Sequence, residues 1–291
     1  MAASPGSTAG SAMTAVAPSI EPPISRPSER RTPPPKPRGT APLGFGITSR
    51  RDTWGLKPLL IALGLTTFVV YALVTAFLLT PVFGIPYEAD GYLSPFFSPL
   101  IDPGWLPWWF SPAILILWIP LGFRTTCYAF RRAYYRSYFA DPPACAVGEP
   151  VMHRRYSMEA AFPFILQNLH RFFLYLQFIP LAFLWLDAVA ALHPGATWRF
   201  GLGNVILFVD LALLTGYSFS CHSLRHFVGG RLDCFSCTAR TRTRGRLWRG
   251  LTVLNGYHIP LGAWSLLGVL TADLYIRMLA AGLFVDPSIR L

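Results

Sequence analysis

The chain has 291 residues, 25 Lys+Arg against 14 Asp+Glu, a net charge of +11, and is 53% hydrophobic but only 13% charged. A soluble domain carries about 25% charged residues. Half of that charge is replaced here by apolar and aromatic side chains, which excludes a soluble single-core enzyme and a disordered regulator and points to a polytopic membrane protein. The positive charge lies in short blocks between long apolar runs, which does not suit a nucleic-acid partner. Five cysteines without a signal peptide do not suit a disulfide scaffold.

Residues 1–50 form a low-complexity leader that holds ten of the 27 prolines, with Ala, Ser and Gly between them. The PPPKPR stretch (33–38) is expected as polyproline II, and the whole leader as a disordered cytoplasmic segment. Residues 51–291 are expected to be an all-α bundle of five transmembrane helices, because five apolar runs of about 20 residues or more follow one another. They lie at about 58–83, 110–134, 159–189, 202–228 and 251–282, and none shows the period-two alternation of a strand.

Charge sets the orientation. Loop 84–109 has Glu88, Asp90 and Asp102, no Lys or Arg, and many Pro, Trp and Phe, as an outer interfacial segment would. The basic residues sit before span 1, between spans 2 and 3 (Arg131, Arg132, Arg136, Arg154, Arg155), and between spans 4 and 5 (Arg240, Arg242, Arg244, Arg246, Arg249). The positive-inside rule then places the N-terminus in the cytoplasm of a multi-pass cell-membrane protein. The same arginines suit lipid phosphates or the docking of a peripheral subunit.

Ionisable and metal-binding side chains inside a bilayer are costly and default to a functional reading. Arg124 and Cys127 fall near the inner end of span 2, and Cys221, His222, Arg225 and His226 near that of span 4. His170 falls about eleven residues into span 3, and His258 about seven into span 5, by helical rise. Cys and His from four helices therefore share one depth. His153 and His193 fall in flanking loops as surface residues. Any one of these histidines could be interhelical hydrogen-bonding glue.

Three metal chemistries compete for the set. His170 and His258 could ligate a b-type haem. Two Cys and two His are the ligand set of a Rieske-type [2Fe–2S] centre. His222, His226, Cys234 and Cys237 read H-x3-H-x7-C-x2-C, a spacing that could hold zinc in a non-redox scaffold. No nucleophilic triad, P-loop, GxGxxG or paired catalytic carboxylate is found, so substrate chemistry in this chain alone is not expected.

The strings FRTTCYAFRRAYYRSYF (123–139), DPPACAV (141–147), ILQNLHRFFLYL (165–176), YSFSCHSLRHFVGG (217–230) and LNGYH (254–258) resemble one family: the five-helix membrane-anchor subunit of actinobacterial-type succinate dehydrogenase, respiratory complex II. The resemblance covers about residues 50–291. It implies a complex with a flavoprotein that oxidises succinate and an iron–sulfur subunit. It also implies a haem-free anchor holding a Rieske-type [2Fe–2S] centre and passing electrons to a quinone (menaquinone or ubiquinone). Carried onto this chain, the thiolates are Cys127 and Cys221, and the imidazoles come from His170, His258, His222 and His226. The pair is left open, with Cys145 in reserve. Neighbours on an ideal helix such as Cys221 and His222 diverge by about 100°, which favours His170 and His258. Arg124, Tyr128, Arg225 and Tyr257 are the expected quinone hydrogen-bond donors, on depth alone.

Overall fold

The computed structural model describes residues 44–48, 50–105, 107, 110–150, 160, 162, 164–195 and 197–290. Residues 1–43 of the Pro-rich leader and most of 151–163, with His153, Arg154 and Arg155, lie outside the described residues, while the leader's end is described and pairs through Gly46 and Ile47 with Gly148 (2.7 and 2.8 Å).

The fold is a bundle of apolar helices. Helix α1 (Leu56–Val74) continues into one π turn, Thr75–Leu79. It is followed by a hairpin of β1 (Glu88–Ala89) and β2 (Tyr92–Leu93), then α2 (Ile114–Thr125), α3 (Tyr128–Phe139) and α4 (His170–Ala190). Strand β3 (Arg199–Gly201) leads into α5 (Leu202–Phe219), α6 (His222–Gly229), α7 (Ala239–Asn255) and α8 (His258–Ala280), and β4 (Ser288–Arg290) pairs antiparallel with β3.

Among the described residues, four stretches are long and apolar enough to cross a membrane: Leu56–Leu79, Ile165–Ala190, Leu202–Phe219 and His258–Ala280. The second expected span is not one helix. It breaks at Cys127, whose φ of −66° and ψ of 129° are extended, and leaves α2 with 12 residues. That is about 18 Å of helix, short of the roughly 30 Å of hydrocarbon. The fourth expected span breaks likewise at Cys221 (φ −60°, ψ 133°), and the fifth begins only at His258 because α7 is a separate helix. Polarity changes with the backbone at each cysteine: apolar α2 and α5 give way to α3 with Arg131, Arg132 and Arg136 and to α6 with His222, Arg225 and His226.

No residue of α1 is buried before the π turn, and Leu59, Leu60, Leu63 and Val70 face outward as lipid contacts would. The π turn has a visible cause. Arg277 of α8 donates to the Thr75 carbonyl (3.1 Å), the Thr80 hydroxyl (2.8 Å) and the Ile85 carbonyl (2.7 Å), so a side chain replaces the ladder there. Asp273, one turn back and wholly buried, accepts from Tyr71 (2.6 Å), Thr75 (2.7 Å) and Ser94, and its carboxylate stands 3.5 Å from the Arg277 guanidinium.

At this hairpin end the bundle is capped. Asp90 and Gly91 turn the hairpin with φ of 52° and 77°. Tyr92 is driven into a notch where α5 has Gly203, and donates to Asn204 (2.9 Å) or Asp286 (2.8 Å). A Cβ at Gly203 would lie 2.6 Å from the Tyr92 ring, so only glycine fits. The opposite, cysteine end carries α3, α6, the basic α7 and loop 140–150. Glu149 there takes both arms of the Arg136 fork (2.9 and 3.0 Å) and the Ala144 N–H. Burial opposes ionisation of Glu149, but Arg136 and Ala144 outweigh it and hold the carboxyl below its usual range.

Candidate functional site

Four helix starts meet inside the cysteine end. Cys127 immediately precedes α3 and Cys221 immediately precedes α6, while His170 and His258 are the first residues of α4 and α8. Helix N-termini carry unsatisfied N–H groups and partial positive charge, which suits thiolates or an anionic centre.

The four side chains form two pairs. Cys127 Sγ lies 3.3 Å from His258 Nε2, and Cys221 Sγ lies 3.3 Å from His170 Nε2. Both cysteines are free and buried, at 2% and 1% exposure. The far nitrogens are held by hydroxyls: His170 Nδ1 at 3.0 Å from Thr126 Oγ1, and His258 Nδ1 at 2.8 Å from Ser220 Oγ.

Those hydroxyls decide the tautomers. A hydroxyl has one proton to give. Thr126 spends its proton on the Gly122 carbonyl (2.6 Å) and Ser220 spends its own on the Tyr217 carbonyl (2.8 Å). With those protons on the carbonyls, each hydroxyl accepts from Nδ1–H, and the Nε2 lone pair of both imidazoles is then aimed at a cysteine sulfur. The bracing is crossed. The hydroxyl beside Cys127 orients the histidine of Cys221, and the hydroxyl beside Cys221 orients the histidine of Cys127.

Two rings stack on the two imidazoles. Phe123 stacks on His170 at 5.0 Å, Tyr217 stacks on His258 at 4.9 Å, and the rings stand 5.2 Å apart. Behind them lies a cavity of about 380 Å³ running toward the hairpin end, lined by Phe68, Ala72, Trp118 and Pro180 among others. Phe123 and Tyr217 form part of its wall, together with Arg124 and Gln177. Arg124 donates to the Gly262 carbonyl (3.1 Å) and Ser265 Oγ (2.9 Å), and its guanidinium lies 4.7 Å from the Tyr217 ring centre. Gln177 Oε1 is buried with no hydrogen-bond partner from the protein.

Other expected site residues are elsewhere. Tyr128 and Tyr257 are exposed and Arg225 is bound to Thr252 (2.9 Å) over the Trp248 ring, so of the four expected quinone donors only Arg124 reaches the cavity. His222 and His226 face each other on α6, Nε2 to Nε2 at 3.0 Å. Cys234 and Cys237 are joined in a disulfide, so the zinc set H-x3-H-x7-C-x2-C is not assembled: its sulfurs are bonded to each other. Cys145 is free and exposed. Thr126, Ser220 and Phe123 escaped sequence reading. The signal was there: TCYAFR (126–131) and SCHSLR (220–225) both read [ST]-C-x3-R.

The donor set can be tested against a metal centre. Two ligands on one tetrahedral metal, with bonds of about 2.0–2.1 Å to nitrogen and 2.3 Å to sulfur, stand roughly 3.6 Å apart. Both Cys–His pairs are close to that. Among the described residues, no three His, Cys, Asp or Glu side chains converge on a single metal ion. Two such pairs match the ligand number of a [2Fe–2S] cluster, in which each of two irons takes two protein ligands.

The sequence matches the family described as Actinobacterial succinate dehydrogenase subunit SdhC over residues 56–282. Among solved structures, a chain of the Mycobacterium smegmatis Sdh1 complex in the apo form is similar, with 38% identity and a TM-score of 0.73, covering 87% of this chain and 97% of that one. No curated protein matches. The chain belongs to the actinobacterial succinate dehydrogenase SdhC family and is the membrane-anchor subunit of that enzyme complex.

Proposed function

We propose that this anchor passes electrons from succinate oxidation to quinone through a [2Fe–2S] centre held by Cys127, His258, Cys221 and His170. The observation that carries the reading is the crossed bracing: two buried thiols, each faced by an imidazole lone pair that a spent hydroxyl has fixed. When bound, such a cluster supplies a one-electron relay inside the membrane, with two Cys and two His as in Rieske-type centres. The pairing puts one Cys and one His on each side, whereas a Rieske centre gathers both histidines on one iron. Each Nε2 faces a sulfur rather than the other imidazole, which does not favour a bis-histidine haem b.

The residues around the pairs have separable tasks. Thr126 and Ser220 hold the tautomers. Phe123 and Tyr217 keep water from the pairs and separate them from the cavity by one ring. Quinone occupies the cavity, its apolar tail along Phe68 and Ala72. Arg124 and Gln177 offer hydrogen-bond partners to the headgroup oxygens, as an apolar site with few polar groups requires. The flavoprotein and iron–sulfur subunits dock on the cysteine end, where Arg132, Arg240, Arg242, Arg246 and Arg249 are exposed. By the positive-inside rule that end, and the N-terminus with it, is cytoplasmic. The broken α2–α3 pair then counts as the fifth span.

The test is the double variant His170→Ala with His258→Ala in the whole complex. Reduction of quinone by succinate should collapse, while succinate oxidation with a water-soluble artificial acceptor persists. Unchanged quinone reduction would demote both histidines to packing residues.

A further inference from the structure

Asp210 lies at the midpoint of the 18-residue α5, is 2% exposed, and neither of its carboxyl oxygens has a hydrogen-bond partner from the protein. Every other buried carboxylate among the described residues is engaged: Asp273 by Tyr71, Thr75, Ser94 and Arg277, and Asp286 by Tyr92, Tyr275 and the Gly203 N–H. Room for Asp210 is made by α8, where a Cβ at Gly268 would stand 2.6 Å from its Oδ1. A packing accident would not leave a carboxyl there, because leucine would fill the same wall at no electrostatic cost.

Its place relative to the cavity is specific. Leu214, one turn along α5, and Val269, next to Gly268, both line the cavity. Arg124 binds α8 at Gly262 and Ser265, three residues before Gly268, or about 4.5 Å along the helix axis. So one acid stands just behind the cavity wall, with one cation a turn away and no direct bond between them. An uncompensated carboxylate is not stable at this depth, whereas a carboxylic acid is tolerated.

We propose that Asp210 is the proton store for quinone reduction in this cavity, an inference that rests on the cavity being the quinone site. Quinone becomes quinol by taking two electrons and two protons. The electrons come from succinate through the complex. The Asp210 O–H bond breaks, its proton passes through cavity water to a quinone oxygen, and the remaining carboxylate is offset by Arg124. Two protons taken up from the aqueous phase through cavity water then complete the balance, one restoring the Asp210 O–H and one going to the second quinone oxygen.

The experiment uses the intact complex and a redox-difference infrared spectrum. Wild type should show a carboxylic-acid C=O band that shifts in D₂O and is absent from Asp210→Asn. That variant should reduce quinone about 100-fold more slowly, with iron content and artificial-acceptor activity unchanged. Wild-type quinone reduction by Asp210→Asn, or a band that persists in it, overturns the proposal. If Asp210→Asn does not assemble, Gly268→Ala moves the carboxyl without removing it, and should shift the band and slow quinone reduction; an unmoved band overturns the proposal there. Leu214→Trp separates the two levels. If filling the cavity leaves quinone reduction intact, the cavity reading fails. If it blocks reduction while Asp210→Asn is inert, only the role of Asp210 falls.

Discussion

The Ser220 hydroxyl is small, wholly buried and remote from any substrate, yet its removal should release the metal centre. It accepts from His258 Nδ1–H at 2.8 Å and donates to the Tyr217 carbonyl at 2.8 Å. Ser220→Ala removes that acceptor and leaves Nδ1–H only the neighbouring Tyr217 carbonyl, at a cost of up to about 1–3 kcal/mol. At about 1.4 kcal/mol per tenfold this is roughly 5- to 150-fold, in line with the roughly 10- to 100-fold losses of metal affinity when outer hydrogen bonds are cut. Because one cluster needs both halves, the loss should be of the whole centre. The assay is iron and acid-labile sulfide per complex after timed exposure to a chelator. Ser218→Ala is the control: its hydroxyl is equally buried and has no partner, so iron retention should not change. Thr126→Val should behave as Ser220→Ala does, through His170. Wild-type iron retention in both Ser220→Ala and Thr126→Val would refute the tautomer argument.

Three further outcomes follow from the geometry. Gly203→Ala drives a methyl against a Tyr92 ring pinned by Asn204 and Asp286; overpacking of about 1–3 kcal/mol should lower the melting temperature by roughly 2–12 °C while iron content stays constant, and an unshifted melting temperature would contradict the notch. Cys234→Ser with Cys237→Ser should leave iron unchanged and find no bound zinc to lose; metal analysis decides it. Glu149 has its folded pKa held below the usual carboxylate value, so the stability it adds is present above the unfolded pKa of about 4.3 and is lost as pH falls through the lower folded value. Amide-exchange protection at Gly46 and Gly148, which pair beside it, should fall over that acid range and already be weak in Glu149→Gln. Protection that ignores both changes would remove Glu149 from the account.

What the sequence made legible was what hydrocarbon imposes. Long apolar runs, one-sided arginines, and Cys and His at one depth point to the bundle and to six Cys and His that include Cys127, His170, Cys221 and His258, with the imidazole pair left open. Depth does not carry direction: Tyr128, Arg225 and Tyr257 share the depth of Arg124 in the sequence but do not line the cavity that Arg124 lines. The argument that set His222 aside assumed Cys221 on an ideal helix; Cys221 is extended, and His222 turns to His226 instead. The helix breaks are not legible because threonine, serine and cysteine are compatible with a continuing helix, and the fall in hydropathy past each cysteine marks the end of an apolar stretch and not an extended residue. The doubled [ST]-C-x3-R string marks both breaks and both bracing hydroxyls. Its meaning depends on a crossing between chain-distant helices that periodicity does not encode.

The most direct test of the account is electron paramagnetic resonance on the purified complex beside its isolated soluble subunits, with optical spectra of the same samples. The account predicts an additional [2Fe–2S] signal in the intact complex, no cytochrome bands, and loss of that signal in Cys127→Ser and in Cys221→Ser alike. Sharp cytochrome bands, or an intact complex with no signal beyond those of its soluble subunits, would contradict it.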